Sequence, residues 1–340
     1  MTAPQVDPAL TEMMDAVFAE KRNSDTHSRV PVFDADLWHQ LDELGLVRLT
    51  GAEQSGGSGA GWYEAAELLT AAVRHGVRIP LAENDLLACW LLEAAGMPVD
   101  AATRTVCLLD EGGQASAVPW ASVVERIVVV WPDADQYLAA DAGVSDVTIT
   151  PGTNMIGEPR DTVVVDPNSL GGVQVTAELV GQLRLKSALV RSIQVCAALD
   201  EALASSIDHV TSRQQFGRPL SKFQAVQHLV SDIAAEAALA RSATEAALSA
   251  AVDSNWSAPH LDFLVAAARS CTGHAASVVV RNAHQVHGAM GTTSEHRLHE
   301  FTRAALAWRS EFGSVRYWDD RLTDMALHAG GDRLWSLINP

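Results

Sequence analysis

The sequence predicts a mainly α-helical fold with a small β-domain set between two helical regions. Apolar residues recur at helical spacing in the first hundred residues and again through the C-terminal half. Between about Arg104 and Asp166 that spacing gives way to short β-branched runs separated by Pro, Gly, Asn and Asp. Alanine is dense in the C-terminal half, as close helix–helix packing permits. The expected organisation is a helical domain over 1–103, a β-domain over 104–172 and a helical bundle over 173–340.

In the first region the apolar series are Met13, Val17 and Phe18, then Leu37, Leu41 and Leu44, then Ala65, Leu68, Leu69 and Ala72. Gly45, the run Gly56-Gly57-Ser58-Gly59, Pro80 and Pro98 mark its loops. The glycine run follows no convincing strand and carries no GK[ST] ending, so it reads as a flexible connector rather than a phosphate cradle. Strands are expected at 127–130, 147–150 and 162–165. Helices are expected at 183–211, 220–251, 258–284, 296–309 and 315–327. Phe223, Val226, Val230, Ile233 and Ala237 form one apolar stripe, the signature of a bundle core.

Asp and Glu outnumber Lys and Arg by 42 to 24, for a net charge of −18, which lacks the electrostatic footprint of a nucleic-acid binder. An anionic ligand must therefore meet a local basic group. Cys89, Cys107, Cys196 and Cys271 are far apart and form no CxxC pair, which points to a reducing compartment. The N-terminal stretch has no basic region followed by an apolar one, and no run approaches the roughly 18 uninterrupted apolar residues of a membrane span. The expectation is a cytoplasmic protein without a membrane or nucleic-acid partner.

Two polar clusters interrupt the bundle where helices end. The first is Arg213-Gln214-Gln215-Phe216-Gly217-Arg218-Pro219, followed by Phe223-Gln224. A guanidinium offers a fork of donors suited to a pyrophosphate, and Phe216 a flat face for an aromatic ring. Spacing alone fits an anion-binding turn and a solvated interhelix turn equally. The second is Gln285-Val286-His287-Gly288-Ala289-Met290-Gly291-Thr292-Thr293, where Gly288 is a natural helix cap. His284 and His287 share a helix face, but no third ligand is spaced to complete a metal site and no HExxH occurs, so no metal is expected. There is also no GxSxG elbow.

The strings RQQFGRPLSKFQAVQHLVSDIAAE and QVHGAMGTTSEHRLHEFTRAA resemble the two hallmarks of the acyl-CoA dehydrogenase superfamily, RxxFGxP followed by FQ and QxxGGxG with a downstream Arg. They stand in the family's order, about seventy residues apart. The resemblance implies an N-terminal helical domain, a middle β-domain, here shortened, and a C-terminal four-helix bundle that builds the oligomer. It also implies FAD, with Arg213, Gln215 and Gln285 and the backbone at Gly288 and Ala289 on the pyrophosphate, Phe216 on the adenine side and Gln224 on the nucleotide end. The implied reaction is α,β-dehydrogenation of an acyl-CoA, with electrons leaving for an electron-transfer flavoprotein.

The catalytic base is where the pattern departs from the family. The matching stretch reads Trp308-Arg309-Ser310-Glu311-Phe312-Gly313-Ser314, and Glu311 is the candidate base. A gapless count from the second hallmark puts Phe312 at that position, and a one-residue slip turns a helical side chain by about 100°. The alternative family location, LRLKSALVRSIQVC, carries no acid. The β-domain also passes from Cys107-Leu108-Leu109-Asp110-Glu111 almost directly to Val118-Pro119-Trp120-Ala121, where family members carry a longer flavin-lining segment. Two readings follow. One is a complete homo-oligomeric dehydrogenase using Glu311. The other is a half-site or non-catalytic subunit of a heteromer, for example one acting on steroid side-chain CoA thioesters, in which a longer partner supplies the base and flavin-ring contacts.

Overall fold

The computed structural model describes residues 6–24, 33–134, 136–293 and 295–338. The chain forms two compact units, one reaching to Ser187 and one beginning at Ala188.

The first unit opens with helices α1 (Pro8–Ser24), α2 (Ala35–Glu43), α3 (Trp62–His75) and α4 (Trp90–Ala94). Asp34 starts α2 by accepting the Leu37 N–H at 3.0 Å, and Glu64 starts α3 by accepting the Gly61 N–H at 2.9 Å. The glycine run expected to be a flexible connector is instead bonded back onto the preceding chain. The Ser58, Gly59 and Ala60 N–H groups donate to the Arg48, Gly51 and Leu49 carbonyls at 2.9–3.1 Å. A Cβ on Gly57 would lie 2.2 Å from the Gly51 carbonyl, so two backbone segments cross where only glycine fits.

Before α4 the chain makes a π-helical segment, Ala82–Cys89, whose eight residues are all buried, Glu83, Asn84 and Asp85 included. Asn84 and Asp85 bond to backbone elsewhere. Asn84 donates to the Val47 carbonyl and accepts the Arg104 N–H, while Asp85 accepts from the Thr50 N–H and hydroxyl at 3.0 Å. Lys186, buried at the end of this unit, places its Nζ 4.3 Å from the Trp90 ring centre and 4.8 Å from that of Trp62. Burial pushes Lys186 down to about 6, against the opposing pull of the Asp85 charge. Burial likewise pushes Asp85 up to about 6, against its bonds to Thr50.

The strands are β1 (Arg104–Leu108), β2 (Gln114–Pro119), β3 (Arg126–Asp133), β4 (Gln136–Gly143), β5 (Thr148–Thr150), β6 (Arg160–Val164) and β7 (Val173–Val175). One sheet runs β1-β3-β4-β7, with β1 parallel to β3, and the second, antiparallel, runs β2-β6-β5. Their shared core holds Ile127, Val129, Trp131, Ala140, Trp120 and Val163. The expected strand runs fall on β3, β5 and β6. Of the four strands outside those runs, β4 reads QYLAADAG and β2 reads QASAVP, with too few β-branched residues to register, while β1 (RTVCL) and β7 (VQV) are short.

The second unit contains most of α5 (Ala177–Ser212), then a two-stranded hairpin, β8 (Gln214–Gln215) and β9 (Arg218–Pro219), and helices α6 (Gln224–Asp253), α7 (Leu261–His287), α8 (Leu298–Trp308) and α9 (Val315–Ile338). Helix α7 is its centre and packs on α6, α8 and α9. By length and composition α7 could cross a membrane, yet half of its apolar window is buried inside this bundle. Close packing depends on small residues: a Cβ on Gly273 would stand 2.6 Å from a Val315 methyl.

Candidate functional site

The first cluster is built by the hairpin between α5 and α6. Gln214 and Gln215 pair with Pro219 and Arg218, so the turn consists of Phe216 and Gly217, at φ 54° and 77°. Two successive left-handed residues make the primed turn that a two-residue hairpin requires. Its consequence is to hold Phe216 out, 89% exposed, with its ring 6.1 Å from that of Phe223. The Arg218 guanidinium lies 4.1 Å above the Phe223 ring. Arg213, Gln215 and Gln224 are all exposed, Gln224 at the first turn of α6, where helix N–H groups have no partner inside the helix.

The second cluster closes α7. Gly288 takes φ 60° and ψ −142°, its N–H donates to the His284 carbonyl, and the chain then winds as a short 3-10 turn to Thr292. A Cβ at Gly288 would meet nothing within 4 Å, so the backbone there is open to a ligand. At Gly291 a Cβ would come within 2.8 Å of the His287 Cβ, so that glycine serves packing. Gln285, Gly288 and Ala289 are exposed. The two clusters share one end of the bundle: His209, one turn before Arg213, stacks at 4.5 Å on His287, the residue before Gly288. Guanidinium groups, amides, open backbone and an uncovered aromatic ring fit a nucleotide diphosphate.

The segment after α8 has a different character. Arg269, on α7 and fully buried, gathers the carbonyls of Arg309, Glu311 and Gly313 on one nitrogen at 2.7–3.2 Å. Burial and the neighbouring Arg191 charge push Arg269 down to about 9, with Glu311 opposing, so it stays protonated at neutral pH. Arg191, on α5 and 1% exposed, donates from Nε to Glu311 Oε2 at 2.7 Å and from Nη1 to Gln194 at 2.6 Å. Its guanidinium lies 5.0 Å from the Phe312 ring centre. Phe312 and Gly313 have φ 53° and 112°, so the helix has ended and the backbone has reversed before Ser314. The expected base is thus a carboxylate already held by a guanidinium, and the residue at the counted base position is an aromatic ring on that same guanidinium.

Residues 172–315 match the family described as Acyl-CoA dehydrogenase, C-terminal domain. The C-terminal part of this chain carries an acyl-CoA dehydrogenase C-terminal domain, and the fold is that of acyl-CoA dehydrogenases. Its sequence is similar to acyl-CoA dehydrogenase IpdE2 of Mycobacterium tuberculosis, 29% identical over 280 residues, covering 80% of this chain and 81% of the relative. Its fold is similar to that in the crystal structure of the ChsE4-ChsE5 complex from Mycobacterium tuberculosis, with a TM-score of 0.79 at 20% identity over 95% of this chain and 98% of that one. A variant of the Tcur3481-Tcur3483 steroid ACAD gives a TM-score of 0.80 at 18% identity, over 94% and 97%.

The buried Arg191 and Arg269 are the features that sequence reasoning missed. Both lie in apolar helical stretches, and an arginine there is a signal in itself, because such residues are almost never fully buried without a partner. The partner, Glu311 for one and the carbonyls after α8 for the other, is invisible until the helices are packed. Of the two histidines singled out on α7, His284 points away to the Thr302 hydroxyl at 3.0 Å, while His287 meets His209 and His296.

Proposed function

We propose that this chain is a half-site subunit of a heteromeric, FAD-dependent acyl-CoA dehydrogenase that acts on CoA thioesters with a steroid body and passes electrons to an electron-transfer flavoprotein. The observation that carries this reading is the Arg191–Glu311 ion pair, with Phe312 stacked on the same arginine. A carboxylate whose lone pairs already accept from a buried guanidinium is poorly placed to take a proton from a substrate carbon. The base is therefore assigned to a longer partner subunit, and Glu311 to holding the turn after α8.

FAD, when bound, supplies the acceptor for the hydride that leaves the substrate β-carbon. Arg213 and Gln215 would hold its pyrophosphate from the hairpin, and Gln285 with the backbone at Gly288 and Ala289 from the end of α7. Phe216 would cover the adenine side and keep water from it, and Gln224 would meet the nucleotide end from the first turn of α6. The exposure of Phe216 supports this, since an apolar ring held out by a left-handed turn calls for something to cover it. The steroid assignment and the heteromer rest on the steroid ACAD pair and the two-component complex whose fold this chain shares. The four free cysteines support a cytoplasmic location.

The test is an anaerobic visible spectrum of the chain purified alone and of the chain co-purified with a longer acyl-CoA dehydrogenase subunit. The expected result is a colourless chain alone and a yellow complex that bleaches on addition of a steroid acyl-CoA. A flavin spectrum from the chain alone that bleaches with any acyl-CoA would replace this reading by a self-sufficient homo-oligomer.

A further inference from the structure

Three histidines from three separate elements converge at the end of the second unit, among residues to which no cofactor contact is assigned. His209 lies near the end of α5, His287 is the last residue of α7, and His296 stands in the turn before α8. Each offers one ring nitrogen, and these nitrogens all lie within 4.8 Å of one another. The His287 ring stacks on that of His209 at 4.5 Å and meets that of His296 edge-on at 4.7 Å.

His287 decides the chemistry. It is 4% exposed, and its Nδ1 lies 2.8 Å from the Ala283 carbonyl, an acceptor that places the proton on Nδ1. Its Nε2 is then a buried lone pair with no close hydrogen-bond partner, on a ring packed against both other histidines. A ring nitrogen anchored by its other N–H to a carbonyl is the arrangement that orients histidine ligands of metals.

We propose that His209, His287 and His296 form a binding site for a divalent transition-metal ion of the zinc class, with a water in the fourth position. The cluster contains imidazoles and no carboxylate, a donor set that favours Zn²⁺, Ni²⁺ or Cu²⁺ over the hard ions Mg²⁺ and Ca²⁺. Closing on an ion at a Zn–N distance of about 2.0–2.1 Å requires the rings to approach, and His296, half-buried in a turn, is the one free to do so. Its Nδ1 accepts the Leu298 N–H at 3.1 Å in the metal-free arrangement, so ligation through Nε2 would release that bond. The bound ion would tie the end of α5, just before Arg213, to the end of α7, just before Gly288. The proposal stands whether or not the chain binds FAD.

The test is calorimetric titration of the chelator-treated full chain with Zn²⁺, alongside the visible absorption of its Co²⁺ form. Expected are one saturable ion per chain, Co²⁺ bands of tetrahedral intensity, and about a 100-fold or greater loss of affinity in His296→Asn and His209→Asn. His284→Asn and His274→Asn, which change histidines outside the cluster, should bind as the unaltered chain does. If His209→Asn fails to fold, His296→Asn carries the test, together with a Zn²⁺-induced rise in Tm that this variant should lack. Absence of saturable binding, or equal binding by His296→Asn, would overturn the proposal.

Discussion

Arg191 and Glu311, 120 positions apart, form an ion pair of 2.7 Å in which the arginine is fully buried and the glutamate half-buried. This pair fixes the turn after α8 and separates two accounts of Glu311. If it is structural, Glu311→Gln leaves Arg191 without its counter-charge and costs stability, roughly 3–5 kcal/mol for a broken buried pair. Urea denaturation should show that loss, while turnover of the intact heteromer stays within about twofold. A collapse of substrate-dependent flavin reduction at unchanged stability would make Glu311 the base after all.

The hairpin makes the second prediction. Arg213→Ala removes an exposed guanidinium, so folding should be nearly unaffected, within about 0.5 kcal/mol. Flavin content of the purified complex should fall by at least about tenfold, since a charge-assisted contact to a pyrophosphate contributes about 1.5–3 kcal/mol. Full flavin occupancy in the variant would show that the first cluster is only an interhelix turn.

The buried polar centre of the first unit gives a prediction in pH. Lys186 titrates near 6 when folded and near 10.5 when free, so the unfolded chain binds more protons across that window. Stability must therefore rise with pH between about 6 and 10, by up to about 1.4 kcal/mol per unit for one proton. Asp85, raised to about 6 from 3.8, acts in the opposite sense: its folded form holds the proton more tightly, and stability falls as pH rises from about 4 to 6. Denaturation curves across this range should show the rising limb flatten in Lys186→Met and the falling limb flatten in Asp85→Asn. Identical pH profiles for variants and unaltered chain would mean that neither group is shifted.

Gly57 tests the reinterpreted glycine run. Its added Cβ would sit 2.2 Å from the Gly51 carbonyl, backbone against backbone, so Gly57→Ala should cost about 1–3 kcal/mol through overpacking. In a flexible connector the same change would be neutral or slightly stabilising. Thermal unfolding of the two forms distinguishes them.

Where one face of an element repeats, the sequence was readable. The stripe Val226, Val230, Ile233 and Ala237 lies on α6, with Phe223 at its N-cap, and the β-branched runs at 127–130, 147–150 and 162–165 fall largely on strands. β4 and β2 were not readable, because alanine and small polar residues mark no strand until a neighbouring strand pairs with them. The π-helical segment was hidden for a related reason: Asn84 and Asp85 are polar, and only their bonds to the backbone groups of Val47, Thr50 and Arg104 make them core.

The sequence by itself determined the succession of helices, strands and helices, the two polar clusters at helix ends and the family to which they point. These depend on local spacing and on residue types that chemistry restricts, such as an arginine and amides beside a glycine. What Glu311 touches, where His287 points and which glycines stand at crossing backbones were decided only by the tertiary structure. Each is a meeting that local spacing does not bring about, whether 120 residues apart, as for Arg191 and Glu311, or across a loop folded back on itself, as for Gly51 and Gly57. Its energy comes from desolvation and hydrogen-bond geometry, which exist only once the helices have packed.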